Sequence, residues 1–335
     1  MQVQKTIRLK IKKPVPDVFE PEIPSDILNM LKGKVIKKTM EFENIDVNKL
    51  MRLMEEKKSS INLTKFDDYV VESQSMKCMI NHPFKLDVFG EIIKKIIANK
   101  SHSKIIGLDF NMEKYGKVKL RKKPKEKQSK RERKLYNQIA VNYDLGVNNR
   151  HIHIHFFHNG AITMVGCINH DDGIKAMDDI IETILKKHPE VFYNENHIED
   201  IKMYNYATTM INSGFRMKFR INRDELYDII LNEYNMYVNF TNEKYAGVKI
   251  SFMFNATKDG VCHCENKCAL EQRRRKKNSC KIITIIVFSK GYTTITGGNS
   301  MEHVETAYKF ITDVIRKCYN RLIVLDIGEL VASLT

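Results

Sequence analysis

The chain has 335 residues, enough for about two domains at roughly 150 residues each. Hydrophobic residues make up 42% and charged residues 29%, the balance of a globular chain with a real core. Lys and Arg number 56 against 41 Asp and Glu, a formal charge of +15 that points to nucleic acid or another anionic surface as partner. No apolar run approaches the roughly 18 residues of a membrane span, so no membrane partner is expected. The first residues lack the basic, apolar, small-residue order of an export signal. An intracellular, reducing setting follows, in which the seven cysteines read as thiols or metal ligands.

Residues 1–68 form an N-terminal extension, basic and Pro-punctuated at first, then helical around Val47 to Lys57. It reads as a DNA- or partner-binding extension or as a packing arm. From there the chain repeats itself at an offset near 131 residues. Met79-Ile-Asn-His-Pro-Phe-Lys-Leu86 lines up with Met210-Ile-Asn-Ser-Gly-Phe-Arg-Met217, and Glu113-Lys-Tyr-Gly with Glu243-Lys-Tyr-Ala-Gly. Phe157-His-Asn-Gly-Ala-Ile-Thr-Met-Val-Gly lines up with Phe288-Ser-Lys-Gly-Tyr-Thr-Thr-Ile-Thr-Gly. Ala176, Ile180 and Ile184 align with Ala307, Ile311 and Ile315. Four matches in one order define two repeats, 69–188 and 198–318, with a tail at 319–335.

Each repeat reads as strand, helix, four strands, helix. Val70 to Lys77 and Lys202 to Ile211 are extended, and Val88 to Ala98 and Asp224 to Tyr234 have helical spacing. Ser103 to Asn111 and Met236 to Thr241 are β-rich; Lys117 to Arg121 and Val248 to Phe254 are read as the next strand. A basic insert then follows at the same place in both halves, about 122–150 and 256–280. Eleven Lys or Arg fall between Lys117 and Lys134, and seven between Glu265 and Lys281; these two stretches carry +14 of the net charge. They read as exposed loops, solvated or in contact with phosphate. Ile152 to Phe157 with Ala161 to Val165, and Ile282 to Phe288 with Tyr292 to Thr296, are hairpins turning at Gly160 and Gly291. A helix closes each unit; Val304, Ala307, Tyr308, Ile311 and Ile315 give the last one a single apolar face. The expected fold class is α+β: two repeats joined edge to edge in one curved antiparallel sheet, helices on one side and an open face on the other.

Two local features stand apart. Cys262, Cys264, Cys268 and Cys280 place four thiols in the second insert, as one structural zinc ion needs, with His263 as a substitute ligand. The alternative is four reduced thiols. No organic cofactor is implied. His151, His153 and His155 share a strand face with Phe157, a polar stretch expected to gain charge near pH 6.5 or, in the competing reading, to hold a metal. No nucleophile–base pair or phosphate-cradling Gly-rich loop is present, so no catalytic site is read.

At this point the residues resemble the TATA-box-binding protein family. Ile286-Val-Phe-Ser-Lys-Gly-Tyr-Thr-Thr-Ile-Thr-Gly is close to that family's strand–turn–strand, and Met203-Tyr-Asn-Tyr-Ala-Thr resembles its first-strand motif. The long inserts look like those of the divergent relatives found in large DNA viruses. The resemblance implies a saddle whose concave sheet enters the minor groove of A·T-rich double-stranded DNA and bends it. Its wedge positions carry over as Phe157 and Phe288, and as Tyr115 and Tyr245. Its base-edge position carries over as Asn205, with Gln74 as partner. Thr294 and Thr296, with Thr163 and Val165, take the groove-facing side of the last strand; Met76 and Ala207 stand where the family has Val. Arg121 matches a phosphate-binding Arg whose second counterpart is Ser251. The implied function is transcription initiation, with general transcription factors or RNA polymerase recruited in the nucleus or a viral factory. The alternatives are a saddle-fold DNA-binding or scaffold protein without TATA selectivity, and a protein-interaction module.

Overall fold

The computed structural model describes residues 47–60, 66–110, 113–116, 137–146, 150–195, 198–241, 245–264 and 280–325. The chain forms two compact units, Met1–Asn62 with Leu325–Thr335, and Leu63–Val324. In the first, the expected helix is α1, Val47–Ser60, with Lys57 and Lys58 in its last turn, where cations complement the helix dipole.

The second unit begins with β1 (Val70–Ile80), α2 (Leu86–Asn99), β2 (Ile105–Phe110), β3 (Glu113–Gly116), β4 (Gln138–Asp144), β5 (His151–Phe157), β6 (Ala161–Cys167) and α3 (His170–Thr183). It continues with β7 (Met203–Arg216), β8 (Arg220–Ile221), α4 (Arg223–Asp228, running into a π-helical turn Ile229–Glu233), β9 (Tyr237–Thr241) and β10 (Tyr245–Phe254). Then come β11 (Lys281–Phe288), β12 (Tyr292–Gly298), α5 (Met301–Lys317), α6 (Tyr319–Leu322) and β13 (Ile323–Val324). Eleven strands make one sheet in the order β3-β2-β4-β5-β6-β1-β7-β12-β11-β10-β9. The first strands of the repeats, β1 and β7, pair antiparallel from Val70 opposite Gly214 to Ile80 opposite Met203, and so weld the halves. The expected two-repeat, saddle-type α+β architecture is therefore the one observed.

Period-two alternation of the strands sorts the side chains. In β5, Ile152, Ile154 and Phe156 are fully buried while His151, His153, His155 and Phe157 are half-buried on the other side. β11 repeats this with Ile283, Ile285 and Val287 against Thr284, Ile286 and Phe288. The buried sides join α2 and α3 in one core and α5 with the α4 turn in a second. Phe84 centres the first core, 5.6 Å from Phe89 and from Phe156 and 5.2 Å from Phe192. Both hairpins turn at a glycine with positive φ: a Cβ on Gly160 would stand 2.5 Å from Ile80 O, and one on Gly291 2.5 Å from Phe219 O. Asn169 caps α3 in a reciprocal capping box with Asp172, and Ser300 caps α5.

Three expectations change. The first is β3, a four-residue edge strand with no counterpart among the described residues of the second repeat; the strand assigned to Lys117–Arg121 lies outside the described residues. β4 lies inside the stretch read as the first insert and pairs with β2 and β5. Equivalent strands are therefore β4 and β10, since Gln138 lies opposite Phe157 as Gly247 lies opposite Phe288. The inserts thus occupy different places: before the third strand in the first repeat, after it in the second. The third change is at the end: Leu322 is fully buried in the second core and β13 pairs with β8, so residues 319–324 pack as part of this unit.

Phe84→Ala is expected to lower unfolding free energy by about 3–5 kcal/mol in urea titrations, the usual cost of emptying a large buried ring. Burial lowers the pKa values of His102, His155 and His303 below 6.5. The fold favours their neutral forms, so that stability is complete above the unfolded value of about 6.5 and lost as pH falls through the folded values. The melting temperature is expected to drop between pH 7.5 and 5.5, with a shallower drop in His155→Gln.

Candidate nucleic-acid interface

The sheet side opposite the helices is built from the alternate residues of both repeats. Cross-strand pairs lie on the same side, so the register assigns each residue. From the first repeat come Gln138, Ala140 and Asn142 on β4, His151, His153, His155 and Phe157 on β5, and Ala161, Thr163 and Val165 on β6. β1 adds Ser75, Lys77 and Met79, opposite Val165, Thr163 and Ala161. From the second come Lys249 and Ser251 on β10, Thr284, Ile286 and Phe288 on β11, Tyr292, Thr294 and Thr296 on β12, and Asn212 and Gly214 on β7.

Phe157 and Phe288, Thr163 and Thr294, and Val165 and Thr296 thus occupy matched places on this open face. Val165 is 41% exposed, the largest apolar exposure on the first hairpin. Phe288 lies near-parallel to Tyr292 with ring centroids 6.3 Å apart, where the first repeat has Ala161. Tyr292 is also held by Glu72, and that hydrogen bond to a carboxylate pushes its hydroxyl up to about 12. Beside the weld, Thr296 Oγ1 of β12 donates to Asn212 Oδ1 of β7, and across it Asn212 Nδ2 donates to Ser73 Oγ at 3.1 Å. Ala207 lies opposite Lys77 on the weld. Asn205 is exposed and left-handed, φ 53°, at a register shift between β1 and β7.

Three sequence assignments are corrected. Met76 is 0% exposed and sits in the first core beneath the helices. Gln74 lies opposite the buried Cys167 and Ile211, and its Nε2 donates to Ile168 O at 3.2 Å. The 131-residue offset matches Met76 to Ala207, but the strand register does not keep that offset: Lys77 faces Thr163 as Gly214 faces Thr294, so Met76 is matched by the fully buried Ser213. The alternation of Met76, Cys78 and Ile80 against Ser75 and Lys77 is the sequence signal that carries this. Tyr115 is the third: it pairs with fully buried Leu108 on the helix side, bonds Glu113, and lies 4.7 Å beneath Lys94 Nζ of α2. The Tyr245 side chain lies outside the described residues, as do Arg121 and Cys268. Ser251 is matched by Asn142, since they face Thr284 and His153. Lys77, Asn142 and Asn212 are face residues that sequence reasoning alone misses.

The histidine strip lies on the open face as expected, with different electrostatics. His153 Nδ1 is 2.6 Å from Asn142 Oδ1, and His151 Nδ1 is 3.7 Å from Asp144 Oδ1. Burial, then neighbouring His153, lowers the pKa of His155, with Asp109 opposing, so the fold favours the neutral imidazole at this position. Among the described residues, the side chains that converge closely enough to hold a metal are Cys262, Cys264 and Cys280. His263 instead contacts Asp259 Oδ2 at 2.6 Å.

No helix among the described residues is long and apolar enough to cross a membrane. No family model matches the chain. Among curated proteins it is 26% identical over 220 residues to a TATA-box-binding protein-like protein of Acanthamoeba polyphaga mimivirus, a match covering 63% of this chain. The match covers 54% of that relative, so the chain spans about half its length. Among solved structures it is similar to the TBP of Methanococcus jannaschii, with a TM-score of 0.42 and 14% identity over 75% of this chain and 99% of that one. The resemblance to the TATA-box-binding protein family read from the residues is borne out: the chain is similar to a divergent TATA-box-binding-protein-like protein of a large DNA virus.

Proposed function

We propose that the open face binds A·T-rich DNA in the minor groove and bends it, and that the chain is a non-enzymatic transcription initiation factor. The observation that carries this is the matched placement of Phe157 and Phe288 on the face of one continuous sheet opposite the helices. Each ring stands at the end of a strand next to a hairpin, where it can enter a base step; unstacking costs a few kcal/mol, offset by the wider contact of a bent duplex. The minor groove presents only hydrogen-bond acceptors at A·T pairs; Thr163, Thr294 and Asn205 supply donors of the right size, and Asn212 keeps a second amide hydrogen beyond the one given to Ser73, while Thr296 orients Asn212. Val165 and Ala207 fill the groove without demanding partners, and Lys77 brings a cation to the negative potential of a narrow A·T groove. Tyr245 is retained as a proposed wedge; Arg121 and the basic inserts add salt-sensitive phosphate contacts. General transcription factors or RNA polymerase dock on the helix side, in the nucleus or a viral factory.

A second reading, a saddle-fold DNA-binding or scaffold protein without TATA selectivity, is favoured by one observation. The outer strands of the first half carry Asp109 and the histidine strip on the open face, with Asp109 3.6 Å from Lys114. A carboxylate there opposes phosphate.

Fluorescence-transfer bending on A·T-rich and G·C duplexes tests the choice. The expected result is selective bending of the A·T duplex. Phe157→Ala with Phe288→Ala is expected to abolish bending and weaken binding by about ten- to a hundredfold, some 1.4–2.7 kcal/mol. Tyr115→Ala, a residue on the helix side, is expected to leave both unchanged. Equal affinity for the two duplexes without bending contradicts the proposal and supports the second reading. Replacing the basic residues of 265–279 by Ser is expected to flatten the dependence of affinity on salt while A·T preference persists, measured by anisotropy across a salt series.

A further inference from the structure

Independently of what the open face binds, we infer that Cys262, Cys264 and Cys280 are ligands of one tetrahedral zinc ion that fastens the two ends of the second basic insert to the sheet. The local chain is shaped before any metal is considered. After β10 it turns through Asn255 to Gly260 and is drawn back onto the strand by Met253 N donating to Gly260 O at 2.9 Å. Gly260 has φ +87°, and a Cβ there would stand 2.7 Å from the Phe252 ring and 2.8 Å from Met236 Cε, so the return path is fixed close against the second core. Cys262 and Cys264 follow this return, and Cys280 directly precedes β11.

The sulfur geometry is that of a coordination shell. Cys264 Sγ and Cys280 Sγ are 3.6 Å apart, Cys280 Sγ and Cys262 Sγ 3.8 Å, and all three lie within 4.8 Å of one another. Zinc–sulfur bonds of about 2.3 Å at tetrahedral angles hold sulfurs about 3.8 Å apart. A disulfide needs about 2.05 Å, so these thiols stand at the separation of ligands around an ion and well beyond that of a bonded pair. Cys280 is only 4% exposed, and the other two are half-buried. Asn255 adds an outer contact. Its Nδ2 donates to Val261 O at 2.7 Å and lies 3.7 Å from Cys280 Sγ, while its Oδ1 accepts from Thr257 N and Lys258 N. An amide fixed by its own turn and aimed at a sulfur is the arrangement that orients a metal ligand.

The set is all-sulfur among these residues, because His263 is engaged by Asp259. Three soft ligands favour zinc or another thiophilic ion over calcium or magnesium. One ion would join the end of β10 to the start of β11, so that the basic insert leaves the sheet from a closed base.

The test is metal content of the full chain purified under reducing conditions. The expected result is one equivalent of zinc, replaceable by cobalt(II) with a thiolate-to-cobalt charge-transfer band and tetrahedral visible bands. Cys264→Ser and Cys280→Ser are each expected to lose that equivalent and the band, whereas Cys318→Ser, outside the cluster, keeps both. Cys264 is half-buried, and the circular dichroism of Cys264→Ser is expected to match the parent, which separates loss of metal from loss of fold. Absence of zinc together with failure to take up cobalt overturns the inference, as does full metal content in a folded Cys264→Ser.

Discussion

Successive side chains of an extended strand point to opposite sides of a sheet, and this constraint organises the whole second unit. Once Ile152, Ile154 and Phe156 enter the core, His151, His153, His155 and Phe157 have no choice of side. The same holds for Ile283, Ile285 and Val287 against Thr284, Ile286 and Phe288. The energy of burial lies on one side and the residues available for recognition on the other. Packing and the open surface are therefore two readings of one register. A slip of a single residue in any strand would exchange them, which ties the shape of the face to the filling of the core.

Duplication extends that face across two cores. The weld between β1 and β7 removes the edge each half would otherwise expose, and it places Lys77 opposite Ala207. The halves are not copies. β3 adds an edge strand to the first half, the inserts leave from different strand ends, and the helix after Asn222 finishes in a π turn where α2 stays regular. The differences gather away from the hairpins, where Phe157 and Phe288 hold matched places. That pattern fits a surface whose inner strands meet a quasi-symmetric partner such as a duplex.

Much of this is legible in the residues. The repeat, the hairpins turning at Gly160 and Gly291, the face of α5 and the parity of Phe157 with the three histidines all follow from spacing, because strong alternation and turn glycines are local signals. The misreadings are non-local. β4 reads as insert because it follows a dense run of lysines and arginines; Ile139, Val141 and Tyr143 show its alternation once the strand is isolated. Gln74 and Met76 fall on the wrong side when the sequence offset of the hairpins is carried back to β1 and β7, whose strand pairing matches Lys77 to Gly214. Tyr115 matches Tyr245 by its Lys-Tyr-Gly motif, but it belongs to the extra edge strand and packs on Lys94. The cysteine spacing suggests metal ligands, while the approach of Cys280 to Cys262 and Cys264 depends on the return of the chain at Gly260.

One spatial relation carries the proposed function: DNA meets the open face of the sheet and leaves the helix side free. Site-specific photo-crosslinking tests it directly, with a benzophenone side chain placed at Thr163 or Thr294 on the open face and at Lys309 on α5. The expected result is crosslinking to an A·T-rich duplex from Thr163 and Thr294 and none from Lys309. Crosslinks from Lys309 alone, or from none of the three positions under conditions where the duplex is bound, would contradict it.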